Sequence, residues 1–141
     1  MKTIAKILTL ATVLSLLFVL SACGEKTVEQ LWDENAVYTE DTSFGEGSKT
    51  VKVEVKAGER KVTFTICSDE QYLGDALIAY GLISGEEGAY GLYIKTVNGI
   101  LADYDVDQSY WAFYKDGEYA MAGIDLTEFL DGEHYELVYT K

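Results

Sequence analysis

Proline is absent from this chain of 141 residues, histidine occurs once, at His134, and basic residues are scarce, with 11 Lys and Arg against 24 Asp and Glu for a formal net charge of −13. The missing proline carries no functional reading; the other scarcities do. His134 has no second His or Cys partner with which to build a zinc site. So acidic a chain repels the phosphate backbone of nucleic acids and anionic lipid headgroups, and its charge serves solubility. The motifs GxSxG, CxxC, HExxH and a glycine-rich phosphate loop are all absent, and among so many carboxylates nothing singles out a catalytic pair. We expect a protein that is not an enzyme and that carries no cofactor or metal.

Cysteine is nearly absent too, and the first of the two is informative by position. Lys2 and Lys6 make a short basic region, and Ile7 to Leu20 is an almost unbroken apolar run of about 14 residues. That is short of the roughly 20 residues that a membrane-spanning helix needs, and it suits the core of a signal peptide. The run ends in Leu20-Ser21-Ala22-Cys23, which is similar to the lipobox of bacterial lipoproteins. The resemblance implies a signal peptide over residues 1–22, diacylglycerol on the Cys23 thiol and a further acyl chain, such as palmitate, on the new amino terminus. The protein would then face outward on the cytoplasmic membrane, anchored and not spanning. Removal of Lys2 and Lys6 moves the formal charge to about −15. Cys67 would be the remaining thiol, without a disulfide partner, and its place at the end of an alternating strand suits packing.

Residues 23–48 read as a lipid-anchored flexible tether, with helical spacing at Val28, Leu31 and Trp32 and then an acidic, glycine- and serine-rich stretch. Regular structure is expected from Lys49. Val51, Val53 and Val55 alternate with charged residues, and Val62, Phe64 and Ile66 alternate with threonines, around a turn at 57–60. Five basic residues in this hairpin suggest a solvated face and a protected sheet edge. Ser68-Asp69-Glu70-Gln71 has the form of a capping box for a helix from Asp69 to Tyr80, with Leu73, Leu77 and Tyr80 along one stripe and Gly81 as its C-cap. Gly74 inside that helix predicts a close neighbour.

Asn98-Gly99 and Asp116-Gly117 are hairpin turns between apolar runs. Tyr135, Leu137 and Tyr139 alternate in a terminal strand. The expected architecture is α+β and β-grasp-like, with one central helix packed on a mixed sheet. Asp103, Asp105 and Asp107 have the spacing that opens a calcium loop, but Gln108 and Tyr114 stand where Gly and Glu belong, so a solvated acidic loop is the better reading.

What the chain has in excess is aromatic side chains between Tyr90 and Gly123, which include Tyr90, Tyr93, Tyr104, Tyr110, Tyr114, Tyr119 and Trp111. Tyr and Trp suit ligand and partner surfaces. Strand alternation sends Trp111 and Phe113 to one face and Tyr110 and Tyr114 to the other, so one face is core and the other is free to bind.

The segments Tyr90–Gly99, Tyr110–Tyr114, Gly123-Ile124 and Asp131–Glu136, in that order and spacing, resemble the C-terminal domain of transcobalamin and intrinsic factor, as does Leu73–Leu77 upstream. The resemblance covers residues 49–141. It implies a binding module that closes over one face of cobalamin while a large helical barrel, for which this chain has no room, holds the other. Carried over, it points to Tyr110 and Trp111 with Tyr119 and Met121 on the return strand, and to Tyr93. It implies capture of cobalamin or a related corrinoid for an importer. The alternative is a cell-surface protein-interaction or adhesion module that uses the same aromatic face or the edge of the terminal strand.

Overall fold

A computed structural model of the protein describes residues 24–141; the signal-peptide segment and Cys23 lie outside them. The fold is α+β, with a mixed six-stranded sheet and a three-stranded antiparallel sheet. The large sheet has the order β1 (Thr42–Phe44), β3 (Arg60–Ser68), β2 (Lys49–Ala57), β9 (His134–Thr140), β7 (Tyr110–Lys115) and β8 (Glu118–Tyr119). The small one has the order β4 (Ile83–Gly88), β5 (Gly91–Val97) and β6 (Ile100–Leu101).

Period-2 alternation builds the inner face of the large sheet. Val51, Val53, Val55, Val62, Phe64, Ile66, Tyr135 and Leu137 are all buried there. The terminal strand β9 runs parallel to β2 from Lys52↔His134 to Lys56↔Val138 and antiparallel to β7 from Tyr110↔Thr140 to Lys115↔Tyr135. It therefore offers no free edge. The hairpin β2–β3 is not an edge either, because β1 flanks it on one side and β9 on the other.

Helix α2 (Leu73–Ala79) brings Leu73, Ala76 and Leu77 to the core. It ends at a glycine cap, as its sequence requires. Gly81 has φ +68°, its N–H donates to Ile78 O at 2.9 Å, and Leu82 N–H donates to Leu77 O at 2.9 Å. Its start is later than Ser68 predicts. Strand β3 runs through Ser68, whose hydroxyl accepts from Glu70 N–H at 3.0 Å in a local turn, and the N-cap Tyr72 makes no side-chain cap. The chain at 127–129 supplies the partners instead: Leu73 N–H donates to Thr127 O at 2.9 Å, and Phe129 N–H donates to Gln71 O at 2.8 Å. Gly74 faces the neighbour it predicts, since a Cβ there would lie 2.8 Å from Asp125 Cα.

The described part of the expected tether is folded, which corrects the tether reading of residues 23–48. Helix α1 (Val28–Asn35) has the capping box that Ser68 lacks, with Gln30 N–H donating to Thr27 Oγ1 at 3.2 Å and Thr27 N–H to Gln30 Oε1 at 2.9 Å. Trp32 is 4% exposed and belongs to the core, and Arg60 pairs with Asp33 at 2.9 Å. Farther on, Tyr38 and Phe44 meet Phe64 edge-on at 5.7 and 5.6 Å between ring centroids, and Phe44 stacks on Tyr80 at 5.8 Å. Buried Asn98 locks the segment down: its Oδ1 accepts from Tyr38 N–H at 2.9 Å, and its Nδ2 donates to Tyr38 O at 2.8 Å.

On the outer face of the large sheet, Lys56 lies 2.9 Å from both Glu54 and Glu136, and Lys61 lies 3.6 Å from Glu54. Burial works against the ionised form of Glu54, but Lys56 and Lys61 outweigh it and hold the carboxyl below its ordinary value of 4.5. A carboxyl so depressed contributes stability at neutral pH that is lost as pH falls through its folded-state value.

Two predictions follow from these contacts. Asn98→Gly keeps the backbone conformation available and removes only the two side-chain hydrogen bonds. It should lower the unfolding free energy by on the order of 2–4 kcal/mol, as two backbone groups are left unpaired, and speed amide exchange over residues 27–44; unchanged exchange there would refute the clamp. Glu54→Gln should cost about 1 kcal/mol at pH 7. In urea titrations its deficit against the parent should close as pH falls below the ordinary carboxyl value of 4.5 and through the lower folded-state one, whereas a constant deficit would mean that the charge is not responsible.

Candidate functional site

Strand β7 sorts its aromatics by alternation. Trp111 and Phe113 are 5% and 8% exposed. The Trp111 indole N–H donates to Ile100 O at 3.1 Å, and its ring meets Tyr139 edge-on at 5.5 Å. Phe113 stacks on Tyr135 at 5.8 Å. Tyr110 and Tyr114 are half-buried on the opposite face. The Asp116-Gly117 turn, with φ +49° and +82°, sends β8 back so that Tyr119 faces Tyr114 in register, with ring centroids 5.5 Å apart.

Since β8 ends at Tyr119, it pairs only with Tyr114 and Lys115, and the first half of β7 is left to meet β5 of the small sheet. That seam forms a trough of three adjoining hollows. The middle one, ≈170 Å³, is lined by Tyr93, Tyr110, Trp111, Phe113 and Tyr119. On one side it shares Tyr93 and Tyr110 with a hollow of ≈510 Å³ that also takes in Glu86, Lys95 and Tyr104. On the other it shares Phe113 and Tyr119 with one of ≈540 Å³ whose lining includes Met121, Leu130 and Lys115.

The structure thus places Tyr93, Tyr110, Trp111 and Tyr119 around one opening. Trp111 belongs to the core as much as to the lining. Met121 is 98% exposed at the lip of the adjoining hollow. Glu86, Lys95, Tyr104 and Leu130 join them without a local signal in the sequence, because the contact between β5 and β7 is long-range.

The acidic segment Asp103–Asp107 is engaged within the fold. Asp103 caps the short helix α3 (Tyr104–Asp107), accepting from Asp105 N–H at 3.1 Å, and lies 3.5 Å from Lys95. Asp107 accepts from Ser109, whose hydroxyl and N–H hold its carboxyl below the usual range. Among the described residues no group of three or more His, Cys, Asp or Glu is placed to hold a metal ion. His134 lies 3.7 Å from Glu54, away from the trough. Cys67 is partly buried, with Sγ 3.4 Å from Thr50 Oγ1.

With this geometry in hand, comparisons place the fold. Residues 71–141 match the family model described as a domain of unknown function, DUF4430. No curated protein matches the chain. Among solved structures it is similar to a proposed metal binding protein from Ruminococcus gnavus ATCC 29149, with 36% identity and a TM-score of 0.62, covering 67% of this chain and 98% of that one. It is also similar to haptocorrin in complex with Cbi, with 24% identity and a TM-score of 0.50, covering 70% of this chain and 26% of haptocorrin. The second likeness is one of fold, and the fold is transcobalamin-like. The chain spans about a quarter of haptocorrin's length.

Proposed function

The chain belongs to the family described as a domain of unknown function, DUF4430, and for this member we propose a ligand-binding module, held outside the cytoplasmic membrane by lipid on Cys23, that captures a corrinoid such as cobalamin for uptake. One observation carries the reading: Tyr93, Tyr110 and Tyr119 converge with Trp111 on a single trough at the seam of two sheets. Broad, half-exposed aromatic rings with polar tips suit a large, flat ligand edged with amides, which needs apolar contact and hydrogen bonds together. The likeness of fold to haptocorrin supports the choice of corrinoid. Binding in an open trough is partial coverage, so a carrier that releases its ligand to an importer fits better than one that sequesters it.

The anchor is proposed from the lipobox-like Leu20–Cys23. Among the described residues no helix is long and apolar enough to cross a membrane. Acyl chains at roughly 0.8 kcal/mol per buried CH₂ would be sufficient to hold the protein at the surface.

Calorimetric titration of residues 24–141 with cobalamin should give a saturable heat. Tyr110→Ala and Tyr119→Ala should each weaken binding by about three- to tenfold while leaving the melting temperature within a few degrees. Absence of a saturable signal up to high micromolar ligand would overturn the corrinoid reading. Expressed in a bacterium fed labelled palmitate, the full chain should appear labelled in the membrane fraction, and Cys23→Ala should be unlabelled and released. An unlabelled parent chain would sink the anchor.

A further inference from the structure

The end of the trough beside β6 differs chemically from the rest. Its hollow of ≈510 Å³ is lined by Tyr93, Tyr104 and Tyr110, with the carboxylates of Glu86, Asp103 and Asp105 around them and Lys95 as the one cation in the lining. The rings of Tyr104 and Tyr110 stand 6.4 Å apart at 62°, two sides of a corner. Tyr93 forms a third wall and sits directly across from Glu86 in the register of β4 and β5. Tyrosine faces carry the negative end of the ring quadrupole and attract cations. Three of them around one hollow make an aromatic box.

The charges in the wall point the same way. Lys95 lies 3.5 Å from Asp103 and 3.7 Å from Glu86, so it offsets one of three carboxylates and leaves the hollow net negative. Burial works against the Lys95 charge, yet Asp103, Glu86 and Asp105 hold its pKa above the ordinary value, which is the response of an ammonium to a negative field. An anion would face uncompensated carboxylates there. A bare metal ion would need carboxylates gathered at one point, and the described residues hold no such group. A bulky, weakly hydrated organic cation meets both requirements, aromatic faces for its alkyl shell and carboxylates for its charge.

We infer that this end of the trough is a binding site for an organic ammonium group, an alkylated amine of the choline type, seated against Tyr93, Tyr104 and Tyr110 with Glu86 and Asp105 as counter-charges and Lys95 remaining beside Asp103. The inference rests on the trough being a ligand site but not on the ligand being a corrinoid.

The experiment titrates the full chain in detergent with choline and, separately, with 3,3-dimethylbutan-1-ol, its neutral isostere, and follows tyrosine ring resonances by NMR. Choline should shift the Tyr93, Tyr104 and Tyr110 signals saturably and bind at least about tenfold more tightly than the alcohol. Tyr104→Ala, and the pair Glu86→Gln with Asp105→Asn, should each weaken choline by about tenfold. Side chains as exposed as Tyr104, at 55%, and Glu86, at 72%, can be changed without unfolding the domain, and circular dichroism checks this. Equal affinity for the two probes, no saturable shift with choline, or a carboxylate pair variant that binds as the parent does would each overturn the inference. A cobalamin titration of the same sample separates the two readings. Cobalamin binding without preference for choline removes the ammonium site and leaves the ligand module. Preference for choline without cobalamin binding upholds the site and removes only the corrinoid.

Discussion

Asn98 is the point at which the structure is tied together. The hairpin between β5 and β6 needs positive φ at both turn residues, and Asn98 and Gly99 adopt +50° and +82°. A turn alone would be satisfied at the surface, but this one is buried, with Asn98 1% exposed. Its backbone N–H donates to Leu82 O at 2.9 Å, just past the end of α2, and its carbonyl accepts from Val37 N–H at 3.1 Å. Its side chain completes both backbone bonds of Tyr38. One residue therefore fixes the small sheet relative to the central helix and to the N-terminal segment. Gly99 is needed twice over, since a Cβ there would lie 2.4 Å from Asn35 O. Without that docking, Trp32 would lose its cover and the seam beside β6 its frame.

The trough is a consequence of where β8 stops. A longer return strand would pair along the whole of β7 and close the edge against which β5 now packs. Because the returning chain engages only Tyr114, Lys115 and the Phe113 carbonyl, which accepts from Ala120 N–H at 2.9 Å, Tyr110 to Ala112 are left facing another sheet. Strand β5 is the middle strand of its sheet and meets β7 without a shared ladder, so side chains line the space between them. The Trp111 indole bonded to Ile100 O holds the two walls at a set separation. Core and platform are thus made by the same strand on its two faces, and the rigidity of the first positions the second.

Signals confined to a few residues were legible in the sequence. The valine alternation of β2, the two turns with glycine at the second position and the Gly81 cap all depend on neighbours in the chain, and the structure has them; Gly74 signalled that something packs close, but not that it is the distant Asp125. The capping boxes show the limit of such reasoning. Thr27-x-x-Gln30 and Ser68-x-x-Gln71 are equivalent as patterns, and only the first is made. At Ser68 the backbone is still pairing with Lys49 across the hairpin, and residues 127–129, more than fifty positions away, engage the start of the helix, Thr127 O accepting from Leu73 N–H and Phe129 N–H donating to Gln71 O. The tether was misread for a related reason. Its acidic, glycine-rich composition is that of a linker, but composition does not reveal that Tyr38 and Phe44 reach Phe64 and Tyr80 across the sheet. Of the site, the tyrosines were visible as a cluster, while Glu86 was not, because only the pairing of β4 with β5 brings it to Tyr93.

Charge is distributed differently at the seam and on the broad outer face of the large sheet. That face carries Glu54, Lys56, Lys61 and Glu136, whose charges are matched within 3.6 Å. A ligand placed there would have to displace ion pairs that already satisfy one another. At the seam the balance is reversed: one ammonium serves several carboxylates, and aromatic surface stands half-exposed beside them. Charge is thus matched across β2, β3 and β9 and left net negative at the end of the trough beside β6. A polyanionic fold of this size gains solubility from its charge everywhere, and a concave surface walled by aromatic rings focuses that field more than a flat face of matched ion pairs does.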